Sequence, residues 1–297
     1  MADALRYTIH QYGTHELQRV GVWDLDVDDR AKYWIVYIHG GAWRDPRITH
    51  ETFKAIVSHI LQSHGEGVRS SIAAFASIDY RLSPHPDFPQ DPAGTPPSQY
   101  RDAIHPDHLD DVRSAIAFLQ SSFGFAGKYV LVGHSAGACL AYQVLAGLSS
   151  PSYRPDRRAG DDVEGRKGEL KLPGAVFGFE GIYDFTGLNA RVDGSYAGFL
   201  TAAFGQPEKW DAAAPLKYEG NYGDRFNGIA ALGHSPDDEL VDAQETEGMV
   251  ERLRKDEVEV LVVEGLRGKH DEVWQNGDGV ANAIMRILAL LRKRSIP

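Results

Sequence analysis

The chain has 297 residues, 42% hydrophobic and 10% aromatic, enough to build the core of one large α/β domain or two small ones. Its 31 basic and 42 acidic residues leave a net charge of −11, which argues against a nucleic-acid or anionic-membrane partner. The single cysteine, Cys139, excludes an internal disulfide and a multi-cysteine metal site, and reads as a buried structural thiol. Residues 1–11 carry no apolar leader and no apolar run approaches ~18 residues, so the expectation is a soluble, cytoplasmic protein.

In chain order, residues 1–32 read as a lead-in, with 20–27 an edge strand or hairpin. Residues 33–38, Tyr-Trp-Ile-Val-Tyr-Ile, form a continuous apolar run that suits a strand covered on both faces, as in a parallel sheet. That run ends in His39-Gly40-Gly41-Ala42-Trp43. Residues 49–62 place Phe53, Ile56, Val57, Ile60 and Leu61 at helical spacing, with Thr49 or Thr52 as N-cap. A strand at 71–78 runs into Asp79-Tyr80-Arg81-Leu82-Ser83-Pro84, and the six prolines of 84–97 make an irregular surface loop. An amphipathic helix at 109–123 then delivers the chain to a strand at 129–132.

That strand enters Gly133-His134-Ser135-Ala136-Gly137, a G-x-S-x-G, followed by the helix-forming run 138–142. Strand, tight turn and helix in this order lift a serine hydroxyl to the top of a sheet and aim the first amides of the helix at the same point. Further on, 150–172 is polar, charged and glycine-rich, so an exposed insertion is expected. A strand at 175–180 ends at Gly181-Ile182-Tyr183-Asp184, and the aromatic-rich stretch 185–225 reads as a cap over the sheet edge or as packing that merely covers it. A strand at 227–232 leads to Gly233-His234-Ser235-Pro236-Asp237-Asp238, then a helix at 241–255, a strand at 258–264, a loop at 265–271 and a closing helix at 280–294. The alternation predicts one α/β domain over 1–297, with a mostly parallel central sheet, helices on both faces and a small cap.

Open α/β sheets carry their functional groups on loops at the C-terminal ends of the strands. A serine hydroxyl needs an imidazole to take its proton, and that imidazole needs a carboxylate to hold its tautomer and charge. In a sheet entered through such an elbow the chain order is Ser, acid, His. After Ser135 only His234 and His270 remain, and only His270 follows every plausible acid. The acid lies at Asp237 or Asp238, with Asp184 a distant third; whichever of the pair is not used is a solvated turn or helix-capping aspartate. The oxyanion of a tetrahedral intermediate needs preset amide donors. Ala136 supplies one, and Gly40, Gly41 and Ala42 are the others. Trp43 and the cap aromatics can form a flat slot for an aryl group.

Taken together, His39–Trp43, Gly133–Gly137, Asp238-Glu239-Leu240 and His270-Asp271 resemble the α/β-hydrolase superfamily, on the esterase and lipase branch with an H-G-G motif. Within it the chain is most similar to the fungal kynurenine formamidases. The shared features are Tyr-Ile-His-Gly-Gly-Ala-Trp, Tyr80–Pro84, Gly181-Ile182-Tyr183, His234-Ser235 and the His270-Asp271-x-Val-Trp-x-Asn-Gly close. The resemblance implies an arylformamidase that hydrolyses N-formyl-L-kynurenine to L-kynurenine and formate in tryptophan degradation. It implies Ser135 as nucleophile, Asp238 as acid and His270 as base, without metal or organic cofactor, and it makes Tyr183 a second candidate substrate contact beside Trp43. A small-molecule substrate follows, and a homodimer stays open. The loop at 84–97 and the insertion at 150–172 look longer than the basic fold requires.

Three other readings compete. An H-G-G branch carboxylesterase would use the same triad on small acyl esters. A catalytically silent α/β-hydrolase would serve as a binding module, but such chains usually lose a triad member. A metal-dependent formamidase is faintly suggested by Gly13-Thr14-His15, yet Leu17 stands where an aspartate ligand is needed, which leaves His10 and His15 as plain surface histidines.

Overall fold

The computed structural model describes residues 5–148 and 170–294, so the expected insertion at 150–172 lies almost wholly outside the described residues. One sheet organises everything else. Its strands are β1 (Arg6–Gln11), β2 (Arg19–Asp24), β3 (Tyr33–Ile38), β4 (Ile72–Ile78), β5 (Tyr129–His134), β6 (Ala175–Phe179), β7 (Ile229–Gly233) and β8 (Glu259–Val263), in spatial order 1-2-4-3-5-6-7-8. The β1–β2 and β2–β4 pairs are antiparallel, and every pair from β4 to β8 is parallel.

The parallel part follows from composition. β3, β4 and β5 are buried at every position, as expected for strands sandwiched between helical layers. Alternate side chains go to opposite layers: Trp34, Val36 and Ile38 join one core, Ile35 and Tyr37 the other. The helices are α1 (Lys54–Ser71), α2 (Asp107–Phe123), α3 (Ala136–Ala146), the short cap helices α4 (Phe185–Arg191), α5 (Ala197–Phe204) and α6 (Trp210–Ala213), then α7 (Ala243–Lys255), α8 (Glu272–Asn276) and α9 (Asp278–Arg294). Apolar residues of α1, α8 and α9 fill one core; those of α2, α3, the cap and α7 fill the other, which includes Cys139. Among the described residues no helix is long and apolar enough to cross a membrane.

Two elements differ from the sequence reading. The lead-in contains a full strand, β1, whose Tyr7 and Ile9 are exposed, so no buried alternation marks it; ladder pairing to β2 forms it. The first helix is longer than 49–62. A 3-10 turn (His50–Phe53), capped by Thr49 accepting from the Glu51 amide, precedes it, and it continues through a bend at Gly65 to Ser71. Residues 63–71 hold only one apolar side chain, Val68, so their helical period is invisible in sequence.

Candidate active site

Because β3, β5, β6, β7 and β8 run parallel, the segments leaving their C-terminal ends meet along one edge. The β5–α3 turn is the tightest of them. Ser135 has φ 53° and ψ −120°, a conformation that costs a residue bearing a Cβ about 1–3 kcal/mol. A Cβ on Gly133 would lie 2.4 Å from the Gly137 carbonyl oxygen, and one on Gly137 would lie 2.1 Å from that of Ile38. Only glycine lets the turn close against β3. The Ser135 carbonyl starts α3 by accepting from Ala138 at 3.0 Å, and its amide donates to the Phe179 carbonyl at 3.1 Å. Every residue of α3 is buried, so the turn rests on an immobile base.

The segment after β3 lies against this elbow: a Cβ on Gly40 would sit 2.8 Å from His134 Nδ1 and 3.0 Å from Ser135 Cβ. Gly41, Ala42 and Trp43 all have positive φ (90°, 48° and 59°). The turn closes with the Arg44 and Asp45 amides donating to the Gly41 carbonyl at 3.0 and 2.9 Å. What holds it is remote in sequence. The Tyr80 hydroxyl donates to the carbonyls of His39 (3.1 Å) and Gly40 (3.2 Å), and its ring stacks on His39 at 4.6 Å. Beneath lies the buried carboxylate of Asp79, 2.8 Å from Arg19 Nε, 2.9 Å from His50 Nδ1 and 3.5 Å from His39 Nε2. Burial alone would raise the Asp79 carboxyl, but hydrogen bonds and charge from His39 and His50 outweigh it and hold the group well below the usual range.

The other half of the site comes from the β7 and β8 loops. His270 Nδ1 is 2.8 Å from Asp238 Oδ2, while Asp238 Oδ1 accepts the amides of Leu240 and Val241 at 2.8 and 2.9 Å. Burial opposes ionisation of Asp238, yet the His270 hydrogen bond, a Glu180 hydrogen bond and the Val241 amide together lower it well below its ordinary value. The neighbouring Asp237 goes elsewhere. Its amide donates to Ser235 Oγ at 3.2 Å and its carboxylate accepts from the Gly268 amide at 3.4 Å. The His270 amide donates to Glu239 at 3.1 Å, and Ser235 Oγ donates to the Gly268 carbonyl at 2.7 Å, so the two loops brace each other. His134 links them to the elbow, its Nε2 3.1 Å from the His270 carbonyl and its ring 4.7 Å from the His270 ring.

The structure thus gathers the elbow serine, the 40–42 turn, Asp238 and His270 at one place, with Ser135 and His270 almost completely buried. It sends the remaining candidates elsewhere. Asp184 caps α4 through the Gly187 amide at 3.0 Å and pairs with Lys217 at 3.1 Å. Trp43 is 0% exposed, packed against Phe185, Phe199 and Phe204 of the cap. Tyr183 is equally buried, edge-on to Tyr142 of α3. Both rings serve as core packing, so neither presents an open face to a ligand. His15 is not a surface histidine: it is buried, with its ring nitrogens 3.1 Å from the Tyr100 carbonyl oxygen and 3.1 Å from the Leu17 amide.

The cap is tied to the loop after β7, the Tyr196 hydroxyl donating to the Leu240 carbonyl at 2.6 Å. It is also tied to α7, where buried Glu245 accepts the amides of Tyr183 and Asp184 and pairs with Arg191. A cavity of about 430 Å³ opens between α5 and the proline-rich loop, lined by Arg44, His85, Phe88, Gln90, Tyr100 and Arg101 among others, and Ser135 and His270 are not in its wall. Residues to which sequence reasoning gave no role are Asp79, His134 and Glu180, while Tyr80 and His234 entered only as shared family features and His234 as a base too early in the chain. The Asp79-Tyr80 run, His134 inside the elbow motif and His234-Ser235 were visible signals; Glu180 had none. Among the described residues two sets of donors lie within 4.8 Å of one another, His134–His270–Asp271 and Glu180–His234–Asp238. Each would hold a cation only by drawing on a member of the His270–Asp238 pair.

No protein-family model matches the chain. The chain is 36% identical over 279 residues to the kynurenine formamidase-like hydrolase fscH of Fusarium equiseti, across 91% of this chain and 87% of that protein. It is 33% identical over 276 residues to the kynurenine formamidase avaC of Aspergillus versicolor, across 85% and 87%. Against the kynurenine formamidase of Saccharomyces cerevisiae the identity is 27% over 255 residues, across 85% and 87%. Among solved structures, esterase B of Lactobacillus rhamnosis aligns with a TM-score of 0.70 at 14% identity, over 99% of this chain and 88% of that one. A truncated carbohydrate esterase from gut microbiota gives 0.66 at 16%, over 97% and 98%. These two likenesses are of fold, the α/β-hydrolase fold.

Proposed function

The chain belongs to the kynurenine formamidase family, and we propose that it hydrolyses the formamide of N-formyl-L-kynurenine to L-kynurenine and formate with Ser135, His270 and Asp238 as a catalytic triad. The observation that carries the triad is the 2.8 Å contact of His270 Nδ1 with Asp238, beside a serine held in a strained, glycine-flanked elbow. With Nδ1–H donated to Asp238, the other ring nitrogen is the base. It takes the Ser135 proton as the hydroxyl oxygen attacks the formyl carbonyl. The amides of Ala136 and of Gly40, Gly41 and Ala42 are the proposed oxyanion donors, each worth about 3–4 kcal/mol in such sites. His270 then protonates the departing arylamine nitrogen, and water releases formate from the formyl-serine by the same route. The enzyme is proposed to be cytoplasmic and to act on a small molecule, its net charge of −11 arguing against a nucleic-acid or anionic-membrane partner.

The direct test is turnover of N-formyl-L-kynurenine by purified protein, with and without chelator, beside a short-chain nitrophenyl ester. Chelator-insensitive release of kynurenine, faster than ester cleavage, is expected. Ester cleavage alone would move the chain to a carboxylesterase function with the same triad. For the acid, Asp238→Asn should lower kcat by about 10⁴-fold, as when an asparagine in a triad holds the imidazole in the wrong tautomer. Asp237→Asn should stay near wild type, and the reverse order would exchange the two roles.

A further inference from the structure

At the end of β6 stands a carboxyl group that the triad leaves without a task. Glu180 is fully buried, and its φ of +51° is one that a residue with a Cβ rarely adopts. Its amide donates to the Gly233 carbonyl at 3.2 Å, and its Oε1 accepts the Ser235 amide at 2.9 Å. The strained backbone and both bonds turn its side chain toward the β7 loop that carries the triad carboxylate. The carboxyl oxygens of Glu180 and Asp238 and a ring nitrogen of His234 come within 4.8 Å of one another. Glu180 Oε2 is 3.1 Å from His234 Nδ1 but takes a hydrogen bond from no donor, so it is the carboxyl oxygen free to carry a proton.

Two carboxyl groups this close, in so dry a place, do not both ionise. Their surroundings decide which keeps the charge. Asp238 faces His270 and two backbone amides, whereas Glu180 faces one amide. The titratable groups packed around Glu180 are Asp238 and His234 from the β7 loop, Tyr183 beyond β6 and, through Asp238, His270. Burial also lowers His234, so this imidazole offers no counter-charge. Burial first, then the hydrogen bond and charge of Asp238, push the Glu180 carboxyl up to about 10, and the Glu180 hydrogen bond helps keep Asp238 ionised.

We propose that Glu180 is a positioning residue of the triad: as a neutral carboxylic acid it donates its one proton to Asp238, so the two groups share a single negative charge directed at His270. Asp238 is thereby held by two backbone amides at Oδ1, by His270 at Oδ2 and by the Glu180 proton, and its carboxylate plane is set before substrate arrives. This inference rests on the triad reading above.

The test compares Glu180→Gln and Glu180→Ala. An amide keeps a donor for Asp238 and an acceptor for Ser235, so Glu180→Gln should keep kcat close to wild type. Glu180→Ala should lower kcat about 10-fold or more with little change in KM, as when a group that orients a catalytic ligand is lost.

A second readout needs no substrate. A group raised in the folded state contributes stability that is complete below its unfolded value and lost as pH rises toward its folded one. The thermal midpoint of Glu180→Gln should therefore gain on wild type as pH rises from roughly 5 to 9. If Glu180→Gln costs as much rate as Glu180→Ala and its midpoint falls behind wild type, Glu180 is a carboxylate paired with charged His234 and the proposal fails. Wild-type kcat in a folded Glu180→Ala also overturns it. Should Glu180→Ala not fold, the pH course of Glu180→Gln decides alone. A wild-type protein inactive on N-formyl-L-kynurenine would refute the proposed function while leaving the stability readout to judge Glu180.

Discussion

Two strained turns meet in this site, and they are held in opposite ways. The elbow after β5 is kept by its own neighbours: Gly133 and Gly137 remove the atoms that would collide, and α3 starts within the turn. The turn after β3 places two non-glycine residues, Ala42 and Trp43, at positive φ and is kept from outside. Tyr80 and Asp79 grip it from the end of β4, and the cap encloses Trp43 between Phe185, Phe199 and Phe204. Local strain can thus be accommodated by omitting atoms nearby or by building contacts far along the chain: both turns leave a glycine motif, but only the first is explained by its own glycines.

The sharpest way to separate the two turns is to change one atom in each. Ser135→Ala keeps the Cβ and hence the elbow geometry, so turnover should fall about 10⁴-fold or more while the thermal midpoint barely moves. Comparable turnover in that variant would remove Ser135 from the mechanism. Gly137→Ala attacks the elbow itself. With a methyl group 2.1 Å from the Ile38 carbonyl oxygen, the loss should exceed about 4 kcal/mol or prevent folding, read by urea unfolding.

The outer turn should respond to its remote support. Asp79→Asn leaves Arg19 without its buried counter-charge and takes the carboxylate away from His39 and His50, which should cost about 3–5 kcal/mol. Its sign with pH is defined. Asp79 is lowered in the folded state, so its contribution is complete above the unfolded value near ~4 and is lost as pH falls below it. The gap between wild type and Asp79→Asn should therefore narrow on acidification, and a gap that widened would assign the stability to another group. The smallest effect is expected for Ala42→Gly. Relief of the positive φ opposes the added freedom of the unfolded chain, and the net change should stay within about 1 kcal/mol. A large loss there would mean that the Ala42 methyl packs as part of the site.

Much of this was legible in the sequence because it rests on local rules. The apolar run 33–38 suited a strand covered on both sides, and the glycines around Ser135 suited a tight strand-to-helix turn; the structure has both. The order of Ser135, the aspartate pair and His270 was equally plain. Legibility ended where a residue's task depends on what folds against it. Trp43 and Tyr183 carry aromatic rings suited to a substrate slot, yet packing from the cap and from α3 buries both. Asp237 and Asp238 are chemically alike and adjacent, so composition does not rank them.

What the sequence determined by itself was the alternation of strands and helices, the elbow and the chain order of Ser135, the aspartate pair and His270, since periodicity, steric allowance and order act over a few residues. Tertiary structure alone decided which aspartate stands at 2.8 Å from His270, that β1 joins the sheet, and that Glu180 stands beside Asp238. Those outcomes depend on distances between segments tens of residues apart, and such distances exist only once the parallel sheet has brought its strand ends together.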